Sequence, residues 1–99
     1  MSYYLRDIIE LRKDFAEAYT SKKYADAIEY GNKIIDLHKD NSDCDTEAYA
    51  DDVNNLAVVY DEVHMNDRAV ELYKEAADIK EDLLGEDSES YLDTIENLG

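Results

Sequence analysis

TEAYADDVNNLAVVYDEVHMNDRAVELYKEAADIKEDLL, running from Thr46 to Leu84, decides how this chain is read. It has the spacing of two amphipathic helices joined by a short polar turn near Met65-Asn66-Asp67. Much of it recurs at an offset of 42 residues. Asp45-Thr46-Glu47-Ala48-Tyr49 returns as Asp87-Ser88-Glu89-Ser90-Tyr91, and Asn55-Leu56 returns as Asn97-Leu98. Upstream, Ala27-Ile28-Glu29 anticipates Ala69-Val70-Glu71, and Asp36-Leu37 anticipates Asp78-Ile79. A helix-pair unit is therefore present once whole and twice in part. A period in this range with two helices per unit marks a helical solenoid. The expected fold is all-α, with five helices in antiparallel pairs, about two and a half units. One domain spans residues 1–99. Repeat 1 covers about 2–40, repeat 2 about 45–85, and a partial third repeat or capping helix about 87–99.

Composition agrees. Proline is absent and glycine occurs three times, while Ala, Leu, Glu, Lys and Asp are abundant, which favours helix throughout. The net charge of -16, from 26 acidic and 10 basic residues, repels phosphate backbones and anionic membranes. Nucleic acid and membrane are therefore not expected partners. Cys44 is the single cysteine, so no internal disulfide can form, which leans towards a cytoplasmic setting. No apolar run approaches the ~20 residues of a membrane span. The start, MSYYLRDIIELRKD, carries charges through its apolar stretch and is expected to be a first helix, not a signal peptide.

Taken in order, the first helix is expected from about Ser2, a plausible N-cap, to Thr20. Its apolar face holds Leu5, Ile8, Ile9, Phe15, Ala16 and Tyr19. After the polar turn Ser21-Lys22-Lys23, the second helix runs from about Tyr24 to Lys39, with Tyr24, Ala27, Ile28, Ile34, Ile35 and Leu37 as apolar positions. Gly31 inside it marks the close approach of a neighbouring helix. Asp40 to Asp45 forms the loop to the next pair, with Asp45 or Thr46 capping a third helix that reaches about His64. Its buried stripe is Tyr49, Val53, Leu56, Ala57 and Tyr60. The fourth helix ends near Leu84 with Gly85 as C′ residue. Asp87 or Ser88 caps a fifth, whose stripe is Tyr91, Leu92, Ile95 and Leu98.

With these positions placed, the chain resembles the tetratricopeptide repeat, in particular the longer repeats of kinesin light chains. The residues that carry the resemblance are Asn55-Leu56-Ala57, Tyr60, Ala69, Tyr73, Ala76, Ile79, Leu84-Gly85 and Asp87. Small residues in that pattern let helices approach closely. The first repeat fits less well: Phe15-Ala16 and Tyr19 align with Leu56-Ala57 and Tyr60 when its turn is one residue shorter. Gly31 then stands for Tyr73 and Ile34 for Ala76, a size exchange between neighbouring positions. The resemblance implies a right-handed solenoid and a scaffold for protein binding, with a peptide held in a concave groove lined by the first helix of each pair.

The groove residues expected on that face are Glu10, Lys13, Asp14, Glu17 and Thr20 of the first helix. The third helix supplies Asp51, Asn54, Asn55, Val58, Asp61 and Glu62, and the fifth Asp93, Glu96 and Asn97. By resemblance, Asn55 and Asn97 match an asparagine that grips a ligand backbone, since an amide both donates and accepts. Asp14 stands at that place in the first repeat. The groove so drawn is acidic, which points to a basic peptide or protein segment. The same acids equally suit a solvated face of an acidic protein. Two other roles stay open. One is self-association through the last helix as a segment of a longer array; the other is acidic mimicry directed at a basic protein.

No enzyme is expected, because no nucleophile–base pairing, glycine-rich phosphate loop or nucleotide fingerprint occurs. No cofactor or metal site is expected either. Asp40 to Asp45 lacks the glycine and spacing of a calcium loop, and His38 and His64 lack ligand partners at zinc spacing. Cys44 in its acidic loop is expected to be unreactive. Tyr3 and Tyr4 are the expected exposed aromatic groups.

Overall fold

The computed structural model describes the backbone of residues 4–85 and 87–98 and the side chains of residues 6–85 and 87–97. Ser2 as a cap, Leu5 and Leu98 as face residues, and Tyr3 and Tyr4 as exposed aromatics lie outside the described side chains. Five helices follow in chain order: α1 Tyr4–Thr20, α2 Tyr24–Asp40, α3 Glu47–Glu62, α4 Asn66–Leu84 and α5 Glu89–Leu98. Each falls within two residues of the expected bounds. Packing follows the chain: α1 on α2, α2 on α3, α3 on α4 and α4 on α5. The molecule measures 35 × 34 × 19 Å, so its thin direction is about two helix diameters. No helix among the described residues is long and apolar enough to cross a membrane.

The helix ends repeat as the sequence does. The Thr46 hydroxyl accepts the Tyr49 N–H at 3.2 Å, and the Ser88 hydroxyl accepts the Tyr91 N–H at 3.1 Å. Both satisfy an amide that the first helical turn leaves without a backbone partner. Gly85 ends α4 at φ +85, a conformation open to glycine without strain.

The two turns inside the pairs correct the expected register. The Lys23 N–H reaches the Ala18 carbonyl at 2.8 Å, and the Met65 N–H reaches the Tyr60 carbonyl at 2.9 Å. Lys22 and His64 sit between at φ 61 and 65. Both are the six-to-one closure of a helix C-terminus with a left-handed C′ residue, and every atom pair recurs at an offset of 42. The first turn is therefore not one residue shorter than the second. In the structure Lys13, not Asp14, corresponds to Asn55, while Phe15 corresponds to Ala57 and Ala18 to Tyr60. The size exchange is real but sits differently. Repeat 1 pairs Phe15 with Gly31 where repeat 2 pairs Ala57 with Tyr73.

That exchange explains Gly31. A Cβ there would lie 2.6 Å from Leu56 Cδ1 and 3.2 Å from Phe15 Cε2. The Phe15 ring and the buried Leu56 fill the volume a side chain would need. The main core joins Tyr49, Val53, Leu56, Ala57 and Tyr60 of α3 to Ala69, Leu72, Tyr73 and Ala76 of α4, with Ile35 from α2. The expected α3 stripe is thus wholly buried.

Four expected face residues are outside. Ile9 is 64% exposed because the inward side of α1 runs through Ile8, Leu11, Phe15 and Ala18, about 100° away per residue. Ala16 is exposed for the same reason. On α5, Leu92 is 49% and Ile95 36% exposed, while Thr94 is fully buried. The fifth helix docks through a polar residue and leaves its apolar stripe uncovered.

Candidate functional site

The core contains two polar junctions that follow from sequence position. On α2 the inward residues are Ala27, Gly31, Ile34, Ile35 and His38; on α4 they are Ala69, Leu72, Tyr73, Ala76, Ala77 and Lys80. His38 and Lys80 thus extend an apolar stripe at helical spacing, and each is forced inside. A buried polar or charged group must find partners. His38 finds Asp52 of α3, with Nε2 2.6 Å from Oδ2, and Asp43 of the loop, with Nδ1 3.0 Å from Oδ2. Arg12 of α1 grips the same Asp52 with both nitrogens, Nε to Oδ1 at 2.9 Å and Nη2 to Oδ2 at 2.6 Å. The imidazolium form of His38 can donate to both carboxylates at once; the neutral ring has one N–H to give. The edge of the Tyr49–His38 ring pair, centroids 5.2 Å apart, closes the site.

Lys80 repeats this on α4. Its ammonium donates to the Thr94 hydroxyl at 3.0 Å and the Ser90 carbonyl at 3.4 Å, and pairs with Asp51 at 3.0 Å. Thr94 in turn donates to the side-chain amide oxygen Oδ1 of Asn54 at 3.2 Å. Arg12 and Asn54, His38 and Lys80, Asp52 and Thr94 are each 42 residues apart. One three-residue junction is built twice with different chemistry: an arginine–aspartate pair meets His38 in the first copy, and a neutral pair, Thr94 and Asn54, meets Lys80 in the second. Among the described residues no buried side-chain nitrogen or oxygen lacks a partner.

Over the first junction lies a cleft of about 340 Å³ between α1, α2 and α3. Phe15 and Ala16 of α1, Gly31 and Ile34 of α2, and Val58 of α3 form its apolar walls. Arg12, bound to Asp52, forms part of its floor, and Asn55, Tyr19 and Thr20 supply polar edges. Gly31 presents bare backbone to the cleft. Burial first, then the nearby Asp61, Tyr19 and Glu62, hold the Tyr73 phenol above its ordinary value. Burial and Glu62 do the same to Tyr24, whose ring meets Tyr19 edge-on at 6.0 Å. Asp61 and Glu62 therefore place negative charge near the tyrosines beside the Tyr19 end of the cleft, without lining it.

The expected groove residues do not gather in one place. Asn55, Val58 and Thr20 line the cleft. Asp51 and Asn54 are engaged by Lys80 and Thr94. Asp14 and Glu10 line a separate crevice between α1 and α2 with Lys33 and Asp36. Glu17 and Asp14 border another, with Lys23 and Tyr30. Lys13, Asp93, Glu96 and Asn97 are exposed outside the cleft. Asp43 of the acidic loop is held by His38, and Cys44 packs half-buried against the core. Sequence reasoning missed Arg12, Phe15, Gly31, Ile34 and Asp52 as cleft residues, and His38, Lys80 and Thr94 as the groups beneath. The signal for His38 and Lys80 was present, since both continue an apolar stripe. Compared with known proteins, the chain matches no family model and no curated protein.

Proposed function

We propose that this chain is a protein-interaction module that holds an extended peptide segment in the cleft between α1, α2 and α3. The reading takes the five helices as about two and a half tetratricopeptide-type units in a right-handed solenoid. Its support is the 42-residue recurrence of turns, caps and buried junctions, together with packing in chain order. The observation that carries the function is the cleft: apolar walls from Phe15, Ala16, Ile34 and Val58, with one amide, Asn55, at the edge. Preformed concavities with apolar walls and a few placed polar groups are what small ligands and peptide side chains bind. The occupant is a large apolar side chain, with Asn55 meeting the adjacent peptide backbone. Asp61 and Glu62 beside the Tyr19 end favour a lysine or arginine next to that anchor and speed its approach.

The test is fluorescence anisotropy with peptides carrying one leucine or phenylalanine flanked by lysines, against alanine-anchored controls. The expected result is binding by the anchored peptides alone, abolished by Ala16→Phe, which fills the cleft from an exposed position. Charge reversal at Asp61 and Glu62 should slow association and flatten its salt dependence. Equal binding of alanine-anchored peptides, or no effect of Ala16→Phe, would remove the cleft from the account.

A further inference from the structure

We infer that the outer face of α5 is a docking surface for a basic amphipathic helix of another protein, packed there as α4 packs on α3. The argument begins with the repeat. Leu92 and Ile95 stand 42 residues after Ala50 and Val53. Ala50 and Val53 are both 0% exposed, covered in the cluster that α3 shares with α4. Their counterparts are 49% and 36% exposed. The two helices are otherwise set alike, with Thr46 and Ser88 as matching caps and Asp52 and Thr94 as matching inward residues. So α5 presents the face that on α3 receives a helix.

The face also states what it receives. Leucine and isoleucine replace alanine and valine, so the incoming helix must offer small residues there, as α4 offers Ala69 and Ala76. Every charged residue from Glu81 to Asn97 is acidic. Asp93 and Glu96 are exposed on α5 itself, and Glu81, Asp82 and Asp87 on the segment before it. A helix that docks between them carries lysine or arginine beside its small apolar stripe. A second copy fits poorly. Each chain bears -16, and acids outnumber or equal bases in every helix.

The test uses the full chain and three synthetic peptides. One has an alanine stripe with lysines on its other face; one has glutamates in place of the lysines; one is a scramble of the lysine peptide. Calorimetry should show binding of the lysine peptide alone, with helix gained in circular dichroism. The double variant Leu92→Glu, Ile95→Glu changes exposed positions, so its melting should match the parent, and it should bind about tenfold or more weakly. Ala16→Phe in the cleft should leave this binding unchanged, which separates the two surfaces. Binding of the scramble as strong as the ordered peptide would reduce the effect to net charge and overturn the proposal. So would equal binding by the double variant. A dimer of the chain alone, lost in the double variant, would assign the face to a second copy instead.

Discussion

His38 on α2 and Lys80 on α4 perform the same task 42 residues apart, each buried at the foot of an apolar stripe and bonded to the next helix, His38 to Asp52 of α3 and Lys80 to Thr94 of α5. Their partners decide what each can lose. Asp52 is 7% exposed at its side chain, against 50% for Asp51, which answers Lys80.

Asp52→Asn and Lys80→Met therefore differ in effect. The first removes the buried negative charge on which Arg12 and His38 converge and leaves their N–H groups facing an amide. Because Asp52 is buried but Arg12 is 40% exposed, the expected loss is about 2 kcal/mol, below the cost of breaking a fully buried pair. The second leaves a half-exposed carboxylate that water can serve, while Thr94 still donates to Asn54. Its expected loss is about 1 kcal/mol or less. Urea unfolding of the two variants against the parent checks the order; a larger loss for Lys80→Met would contradict it.

Alkaline stability follows from the tyrosines. Burial, then a bond to Glu75 at 2.7 Å, pushes the Tyr49 phenol well above its ordinary 10.0, and Tyr73 is raised as well. A folded-state pKa above the unfolded one means the native state holds its proton more tightly. That stability is complete below pH 10 and is lost as the pH rises towards the folded values. Helicity by circular dichroism should fall above about pH 10, with tyrosinate absorbance rising in the same transition. Tyr49→Phe, which lacks the proton and leaves Glu75 near the surface, should make the alkaline loss shallower. Tyrosinate appearing with full helicity retained would exclude this linkage.

Gly31 reverses the usual rule for glycine in a helix. Replacement by alanine ordinarily stabilises by about 1 kcal/mol. Here the new methyl group meets Leu56 at 2.6 Å in a packed core, and overpacking costs about 1–3 kcal/mol. Gly31→Ala should destabilise by about 1 kcal/mol net, from those two opposing magnitudes. Adding Leu56→Val should recover part of that loss, so that the double variant is better than the sum of the single changes. Additive losses in thermal unfolding would show that Leu56 is not the obstacle.

The helix bounds, the α3 stripe, the Thr46 cap and Gly85 were legible in the sequence because each rests on local chemistry or on spacing along one helix. The register of the first repeat was not. Its turn, Ser21-Lys22-Lys23, shares no residue with Val63-His64-Met65. The left-handed positions are filled by Lys22 and His64, where glycine would have announced them. The buried junctions were hidden for another reason. Arg12, His38 and Asp52 look like surface residues one at a time, and they are brought together only by packing of three helices. Of the cleft, the α3 side was legible through Asn55 and Val58. Its α1 side was legible only at Thr20, because the one-residue shift in register placed Glu17 where the structure has Ala16.

The fifth helix supplies the last prediction. At ten residues, α5 is too short to persist as an isolated helix. Its stripe is uncovered, so its order depends on the Ser88 cap and on Thr94 joining Lys80 to Asn54. Thr94→Val keeps the shape and removes the hydroxyl. Lys80 retains Asp51 and Ser90, and half-buried Asn54 can turn to water. The loss should be local, with amide exchange in α5 accelerated about tenfold, a change of ~1.4 kcal/mol. Amides of α3 should exchange as in the parent, since the His38–Asp52 junction and the core between α3 and α4 are untouched. Equal acceleration in both helices would mean that α5 opens only with the whole molecule, and that the second junction supports the entire fold, not its last helix alone.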